Sequence, residues 1–213
     1  MRQTLVSGTE THPVETSMPP FSRDLAMQSS PAHPLHSLPR YAPLQFDARG
    51  TAHLLIAQSD ALDAHAAFIG ELMESTRASA RLLGEPVQLT GIATQCFHSK
   101  RSLEQSVRQH LAEAGEVGLR VYLCGDEAFI WRMRPILTAS GLRGEEIQAD
   151  ASRARRAVYC VHCGGTHDYP SQDEVTCAGC GLRLAVRQHF SPLLGAYFGG
   201  CANPDTPYAE NRA

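Results

Sequence analysis

Lysine is nearly absent from this sequence: Lys100 stands alone among 19 basic residues. We read the dominance of arginine as a compositional bias of the source genome rather than as chemistry. A surplus of charge is missing too. The formal net charge is −3 and the pI near 6.3, which argues against a protein that coats nucleic acid through its bulk charge, since such domains are usually basic. No apolar run approaches the roughly 18 residues that a membrane helix needs. The N-terminus, MRQTLVSGTETHPVETSMPP, has no apolar core of signal-peptide length, so secretion is not expected and a cytoplasmic location is. A full disulfide framework is disfavoured because the seven cysteines are odd in number. What remains is a chain of 213 residues, 43% of them hydrophobic, which suffices for one domain or one domain with a small module.

Residues 1–44 hold seven of the 13 prolines, many Ser, Thr and His, and no periodicity. Such a segment buries too little apolar surface to offset its ordering entropy, and we expect an extended or disordered arm. From residue 45 to 150 the pattern alternates. Residues 52–57 read as a buried strand, and Gln58-Ser59-Asp60 as a helix cap. Residues 61–82 carry apolar side chains at mixed three and four spacing and read as one amphipathic helix, with a break near Gly70. Residues 86–93 read as a second strand, 102–114 as a helix, 119–124 as a third strand. A third helix runs to about 140, with a kink or break expected at Pro135 and a stop at Gly141. Residues 145–149 read as a fourth strand. Strand and helix in alternation imply βαβ crossovers, hence an α/β domain with a parallel sheet. The arginine-rich stretch 151–157 is the expected linker to a second module, residues 158–213.

That module opens with the strongest signal in the chain. Cys160-x-x-Cys163 and Cys177-x-x-Cys180 are separated by thirteen residues. A two-residue spacer lets one tight turn aim two sulfurs at a single ion. Gly164 and Gly181 follow the pairs, where a left-handed backbone lets N–H groups face the sulfurs. Two such knuckles at the ends of a small β-hairpin would present four thiolates tetrahedrally, a set that usually holds structural Zn²⁺. A rubredoxin-like iron centre and thiol redox pairs are the alternatives. Thirteen residues is short for the first, and two pairs at this spacing satisfy each other as ligands, against the second. His162 and His167 could substitute as ligands, but we read both as surface residues. A four-thiolate site is coordinatively closed and contributes folding energy rather than catalysis. Beyond it, Leu184 and Val186 alternate as a last strand. Ser191 and Pro192 read as the start of a very short helix bearing Leu193, Leu194, Tyr197 and Phe198. That face is expected to dock on the α/β domain or on another subunit.

Two resemblances sharpen this. Residues 121–147, VYLCGDEAFIWRMRPILTASGLRGEEI, resemble the last βαβ unit of the ferredoxin–NADP reductase family, in which a strand ends in Cys-Gly-Pro before a helix, a Gly turn and a final strand. The middle of the chain is therefore expected to be a small Rossmann-like domain. Here the first loop is Ala57-Gln-Ser-Asp60, without glycine, Asp126 replaces the proline, and no flavin barrel precedes. Asp60 would set a carboxylate where a phosphate should sit. We expect a scaffold that has lost its nucleotide, with no cofactor-binding and no catalytic residue on this chain. Cys124, Phe129 and Trp131 are read as packing residues. The second resemblance covers residues 50–208. The knuckles, followed by Val186-Arg187-x-His189-Phe190-Ser191, a Leu and Ala196-Tyr197, are similar to the small subunit of bacterial dimethylamine monooxygenase. The resemblance implies a multi-subunit enzyme that N-demethylates dimethylamine to methylamine and formaldehyde with O₂ and NAD(P)H. Haem would sit on an oxygenase subunit, and FMN with [2Fe–2S] on a reductase subunit. This chain would be the zinc-bearing accessory subunit that bridges them. The alternatives are an electron-transfer or nucleotide-binding component, and a zinc-ribbon nucleic-acid adaptor using Arg153, Arg155 and Arg156. His189 reads as packing on the ribbon rather than as an axial ligand or proton relay.

Overall fold

The computed structural model describes residues 38–114 and 117–207. Most of the expected N-terminal arm, residues 1–37, lies outside the described residues. Two five-stranded sheets carry the fold.

The first sheet is wholly parallel. Its strands are β1 (Ala52–Gln58), β2 (Ala78–Leu83), β3 (Ala93–Phe97), β4 (Leu119–Asp126) and β5 (Ile147–Ser152), in the order β3-β2-β1-β4-β5. The two central strands are buried on both sides, so they read as continuous apolar runs rather than as alternation. Successive residues face opposite layers. Leu54, Ile56, Val121 and Leu123 pack with Leu103 and Val107 of helix α2 (Lys100–Ala114) and with Phe129, Ile130 and Met133 of α3 (Glu127–Ala139). Leu55, Ala57, Tyr122 and Cys124 pack with Phe68, Ile69 and Leu72 of α1 (Ala66–Met73). Asp126 caps α3, its carboxylate accepting from the Phe129 N–H at 2.7 Å. Residues 38–50 cross this sheet: Tyr41 packs on the first core, Leu44 is buried in the second, and Arg120 donates to Asp47 at 2.8 Å.

Four expectations about elements fail here, each for a physical reason. The helix expected over 61–82 is three short pieces: two single 3₁₀ turns at Ser59–Ala61 and Asp63–His65, then α1, which ends at Met73. Its last five residues belong instead to β2. Ala78, Ala80, Arg81 and Leu82 are buried between neighbouring strands, and small or leucine side chains at such positions look helical in one dimension. The strand expected at 86–93 is a loop whose Ile92 N–H turns back to the Leu89 carbonyl, and β3 begins only at Ala93. Of the kink or break expected at Pro135, the break does not occur. The helix runs on to Ala139, with Pro135 on its exposed side. The linker expected at 151–157 is almost all strand, because β5 runs to Ser152 and the next strand starts at Arg155.

The second sheet holds β6 (Arg155–Cys160), β7 (Thr166–Pro170), β8 (Glu174–Thr176), β9 (Arg183–Ser191) and β10 (Ala196–Cys201), in the order β7-β6-β10-β9-β8. β10 replaces the short helix expected after Ser191. Ser191 does cap, but it caps a hairpin turn: its Oγ accepts from the Leu194 N–H at 3.3 Å, and Gly195 takes φ +61° to close the turn. β10 then lies between β6, to which it is parallel, and antiparallel β9. Such a central strand must bring its backbone close to both neighbours. At Gly199 a Cβ would meet Val158 Cγ1 at 2.8 Å and Leu184 Cδ1 at 2.9 Å, so only glycine fits without displacement. This sheet docks on α3 through Trp131, whose ring lies 4.5 Å from Phe190.

Candidate metal centre

Each cysteine pair closes its own hairpin rather than sharing one. The first knuckle joins β6 to β7 and the second joins β8 to β9. The two are built alike. In the first, the Gly164 N–H donates to the Cys160 carbonyl at 2.9 Å and the Cys160 N–H to the Gly165 carbonyl at 2.8 Å. In the second, the Gly181 N–H donates to the Cys177 carbonyl and the Cys177 N–H to the Leu182 carbonyl, both at 2.8 Å. The closing glycines have φ of +72° and +71°, a left-handed conformation that costs a residue with a Cβ about 1 kcal/mol or more.

The knuckles converge. All four Sγ atoms lie within 4.8 Å of one another, with Cys163 and Cys177 3.7 Å apart and Cys160 and Cys180 3.9 Å apart. Four sulfurs about 2.3 Å from a central ion would form a tetrahedron with edges of about 3.8 Å, so the set fits a tetrahedral thiolate-bound metal. Burial pushes the Cys177 thiol up, but the N–H groups of Cys180 and Gly179 and the neighbouring thiols outweigh it, taking it down to about 7. At Cys180 the Leu182 N–H favours the thiolate, yet burial and the facing Cys177, Cys163 and Cys160 sulfurs win and push it up to about 12. A divalent cation among the four sulfurs would offset the repulsion between their thiolates and let all four ionise.

The surroundings hold the knuckles in place. Tyr169 on β7 accepts the Ala178 N–H of the second knuckle at 2.8 Å, tying the two hairpins together. At 165 and 179 a Cβ would press on the His167 ring, 3.0 and 3.2 Å from its Nε2. His167 thus stands beside Cys163 but outside the four-sulfur set, and His162 is exposed.

At the carboxyl ends of β1, β4 and β5 lies a separate cleft of about 410 Å³, at the point where strand order reverses, a usual ligand position in parallel sheets. Gln58 lines it, its Oε1 accepting the Asp126 N–H and its Nε2 donating to Asp126 Oδ2 at 3.2 Å. Asp60, Asp126 and Asp150 line it with carboxylates, opposed by Arg155.

Two matches to known families now bear on the chain. Residues 33–147 match the N-terminal domain, and residues 157–200 the C-terminal domain, of the family described as dimethylamine monooxygenase subunit DmmA-like. The chain belongs to the DmmA-like family. A relative in Ectopseudomonas mendocina (strain ymp), named the heme-dependent oxidative N-demethylase delta subunit, is 39% identical over 177 residues, which is 83% of this chain and 93% of that protein. Among solved structures, the ferredoxin reductase in carbazole 1,9a-dioxygenase (FAD apo form) matches with 18% identity and a TM-score of 0.38, over 52% of this chain and 34% of the reductase. At that score the likeness carries no argument.

Within this DmmA-like chain the remaining singled-out residues fall away from the sulfurs. Cys124 is fully buried beneath the cleft, its thiol pushed up to about 12 by burial and by Asp150 and Asp60. Cys96 binds the Val87 backbone, and His189 is exposed beside the Phe198 ring at 5.2 Å. Of the apolar residues expected to dock, Tyr197 is buried, but Leu193 and Leu194 stay exposed at the hairpin tip. Phe190 does the docking instead. Sequence reasoning also missed Glu127, a buried carboxylate at the start of α3 that accepts from Tyr41 at 2.9 Å. Tyr41 in turn accepts from Trp131 Nε1 at 2.7 Å. Nothing in the local sequence pairs positions 41, 127 and 131.

Proposed function

We propose that this chain is the zinc-bearing accessory subunit of an NAD(P)H- and O₂-dependent monooxygenase that N-demethylates dimethylamine to methylamine and formaldehyde. It bridges a haem oxygenase subunit and a reductase subunit carrying FMN and [2Fe–2S], and works in the cytoplasm. The observation that carries this reading is the 39% identity to an oxidative N-demethylase delta subunit along nearly the whole of that protein. No helix among the described residues is long and apolar enough to cross a membrane, in keeping with that location.

The geometry supports an accessory role. The four cysteines, Cys160, Cys163, Cys177 and Cys180, would hold one zinc with every position taken, which leaves no place for water or substrate. Zinc there supplies folding energy to a sheet with a small core. The order β3-β2-β1-β4-β5 supports a Rossmann-like domain, residues 45–150, ahead of a zinc ribbon, residues 158–213. A pyrophosphate at the cleft would need the N–H groups that Gln58 and Asp126 already use, and would face three carboxylates. This favours a scaffold over a nucleotide-binding component.

The test is reconstitution. Purified haem and reductase subunits, with and without this chain, are assayed for formaldehyde release from dimethylamine under NADPH and air. Omission is expected to abolish or strongly reduce turnover. Full turnover without it overturns the reading, and NADPH binding by the isolated chain overturns the scaffold part of it.

A further inference from the structure

The four cysteines differ in exposure. Cys160 and Cys177 are 1% and 2% exposed and Cys180 is half-buried, whereas Cys163 is open to solvent. Cys177 Sγ, on the other knuckle, lies 3.7 Å from the Cys163 sulfur. A disulfide needs about 2.05 Å, so closing that pair moves the two sulfurs together by under 2 Å.

We propose that Cys163 is a hydroperoxide-sensitive site, and that its oxidation links it to Cys177 across the knuckles and expels the metal. This rests on the zinc reading above and deepens it. An oxygenase that reduces O₂ without spending the electrons on substrate releases hydrogen peroxide, which is the oxidant class required. The Cys163 thiolate attacks one peroxide oxygen, breaking the O–O bond. This gives the sulfenic acid and one hydroxide. The Cys177 thiolate then attacks the Cys163 sulfur and displaces a second hydroxide. Two thiolates lose two electrons, the peroxide gains them, and two protons from water or buffer carry the hydroxides to water. The ion is left with Cys160 and Cys180, half of its ligand set, and is released. The disulfide keeps the two hairpins joined, so oxidation empties the centre of its ion without parting them. Reductant with added zinc reverses the step.

The experiment uses the full chain loaded with zinc. Hydrogen peroxide is added in steps with a zinc-sensitive dye present, and samples are digested without reduction for mass mapping. The expected result is one zinc released per chain, together with a mass loss of about 2 Da on a peptide pair joined through Cys163 and Cys177. Dithiothreitol and zinc should restore the unmodified chain with its metal. Retention of zinc while Cys96 or Cys201 becomes oxidised overturns the proposal. So does a first disulfide within one knuckle, Cys160–Cys163 or Cys177–Cys180. A chain that purifies with no zinc overturns the zinc reading and this proposal together, whereas membership of the demethylase complex stands or falls on the omission assay alone.

Discussion

Truncating Phe190 to alanine should detach the second sheet from the first domain before either loses its own structure. The Phe190 ring is 2% exposed and lies 4.5 Å from Trp131 and 5.1 Å from Tyr197. Buried Phe→Ala changes cost about 3–5 kcal/mol, made up of the lost transfer energy and the cavity left behind. Collapse is hindered here. Trp131 is held from behind by its bond to Tyr41 and from the side by Gly195, where a Cβ would already sit 3.3 Å from the Trp131 Cβ. We therefore take a mid-range loss, about 4 kcal/mol, which at a urea slope of about 2 kcal/mol/M is a midpoint shift of roughly 2 M. Trp131 is the single tryptophan in the chain, so its fluorescence reports this seam and nothing else. The assay is urea unfolding of wild type and Phe190→Ala, followed by that emission and, in parallel, by far-UV circular dichroism from helices α1, α2 and α3. The fluorescence midpoint should fall by roughly 2 M and the helical signal by less. A fluorescence shift under about 0.5 M, smaller than a well-packed ring can explain, would refute the claim that Phe190 seats the sheet on α3.

Other outcomes follow from the same geometry. Metal analysis should find one zinc per chain. Cys160→Ser should lose it and expose Trp131, while the parallel sheet keeps its circular dichroism; iron, or a stable second sheet without metal, would contradict the site. Gly199→Ala should destabilise by about 1–3 kcal/mol, because the new Cβ has no room between Val158 and Leu184; thermal melting measures it. Asp168 on β7 accepts from Lys100 at 2.7 Å and Arg132 at 3.3 Å. Burial opposes its ionisation, but Lys100 and Arg132 hold the carboxyl below its ordinary value. A depressed folded value means that this contribution is complete above the unfolded value of about 3.9 and vanishes as pH falls through the lower folded one. Asp168→Asn should therefore cost about 1 kcal/mol or less at neutral pH, given half-exposed Lys100, and less at pH 2. Equal costs at both pH values, read from urea midpoints, would sink that account.

The four-cysteine cluster was legible because its chemistry is local. Two residues between cysteines and a glycine after each pair define a knuckle by themselves, and both knuckles formed where the spacing put them. The central strands β1 and β4 were legible too, since doubly buried strands need unbroken apolar runs. β2 and β10 were not. Residues 78–83 have no residue that forbids a helix, and only the vacancy beside β1 makes them a strand. Residues 196–201 start with an apolar cluster that suits a short helix as well as a strand. Here the gap between β6 and β9, and the lack of room for any side chain at 199, decided it.

By itself, then, the sequence determined which side chains can bind a metal, that the first domain alternates strand and helix, and that its first loop lacks the glycines a phosphate would need. Those properties depend on residues close together in the chain. Only the tertiary structure decided which cysteine faces solvent, that Gln58 bonds to Asp126 in the cleft, and that Trp131 seats Phe190 beside the Tyr41–Glu127 pair. Each of these joins residues far apart in sequence. Such contacts are set by the packing of whole elements, to which no local pattern gives access.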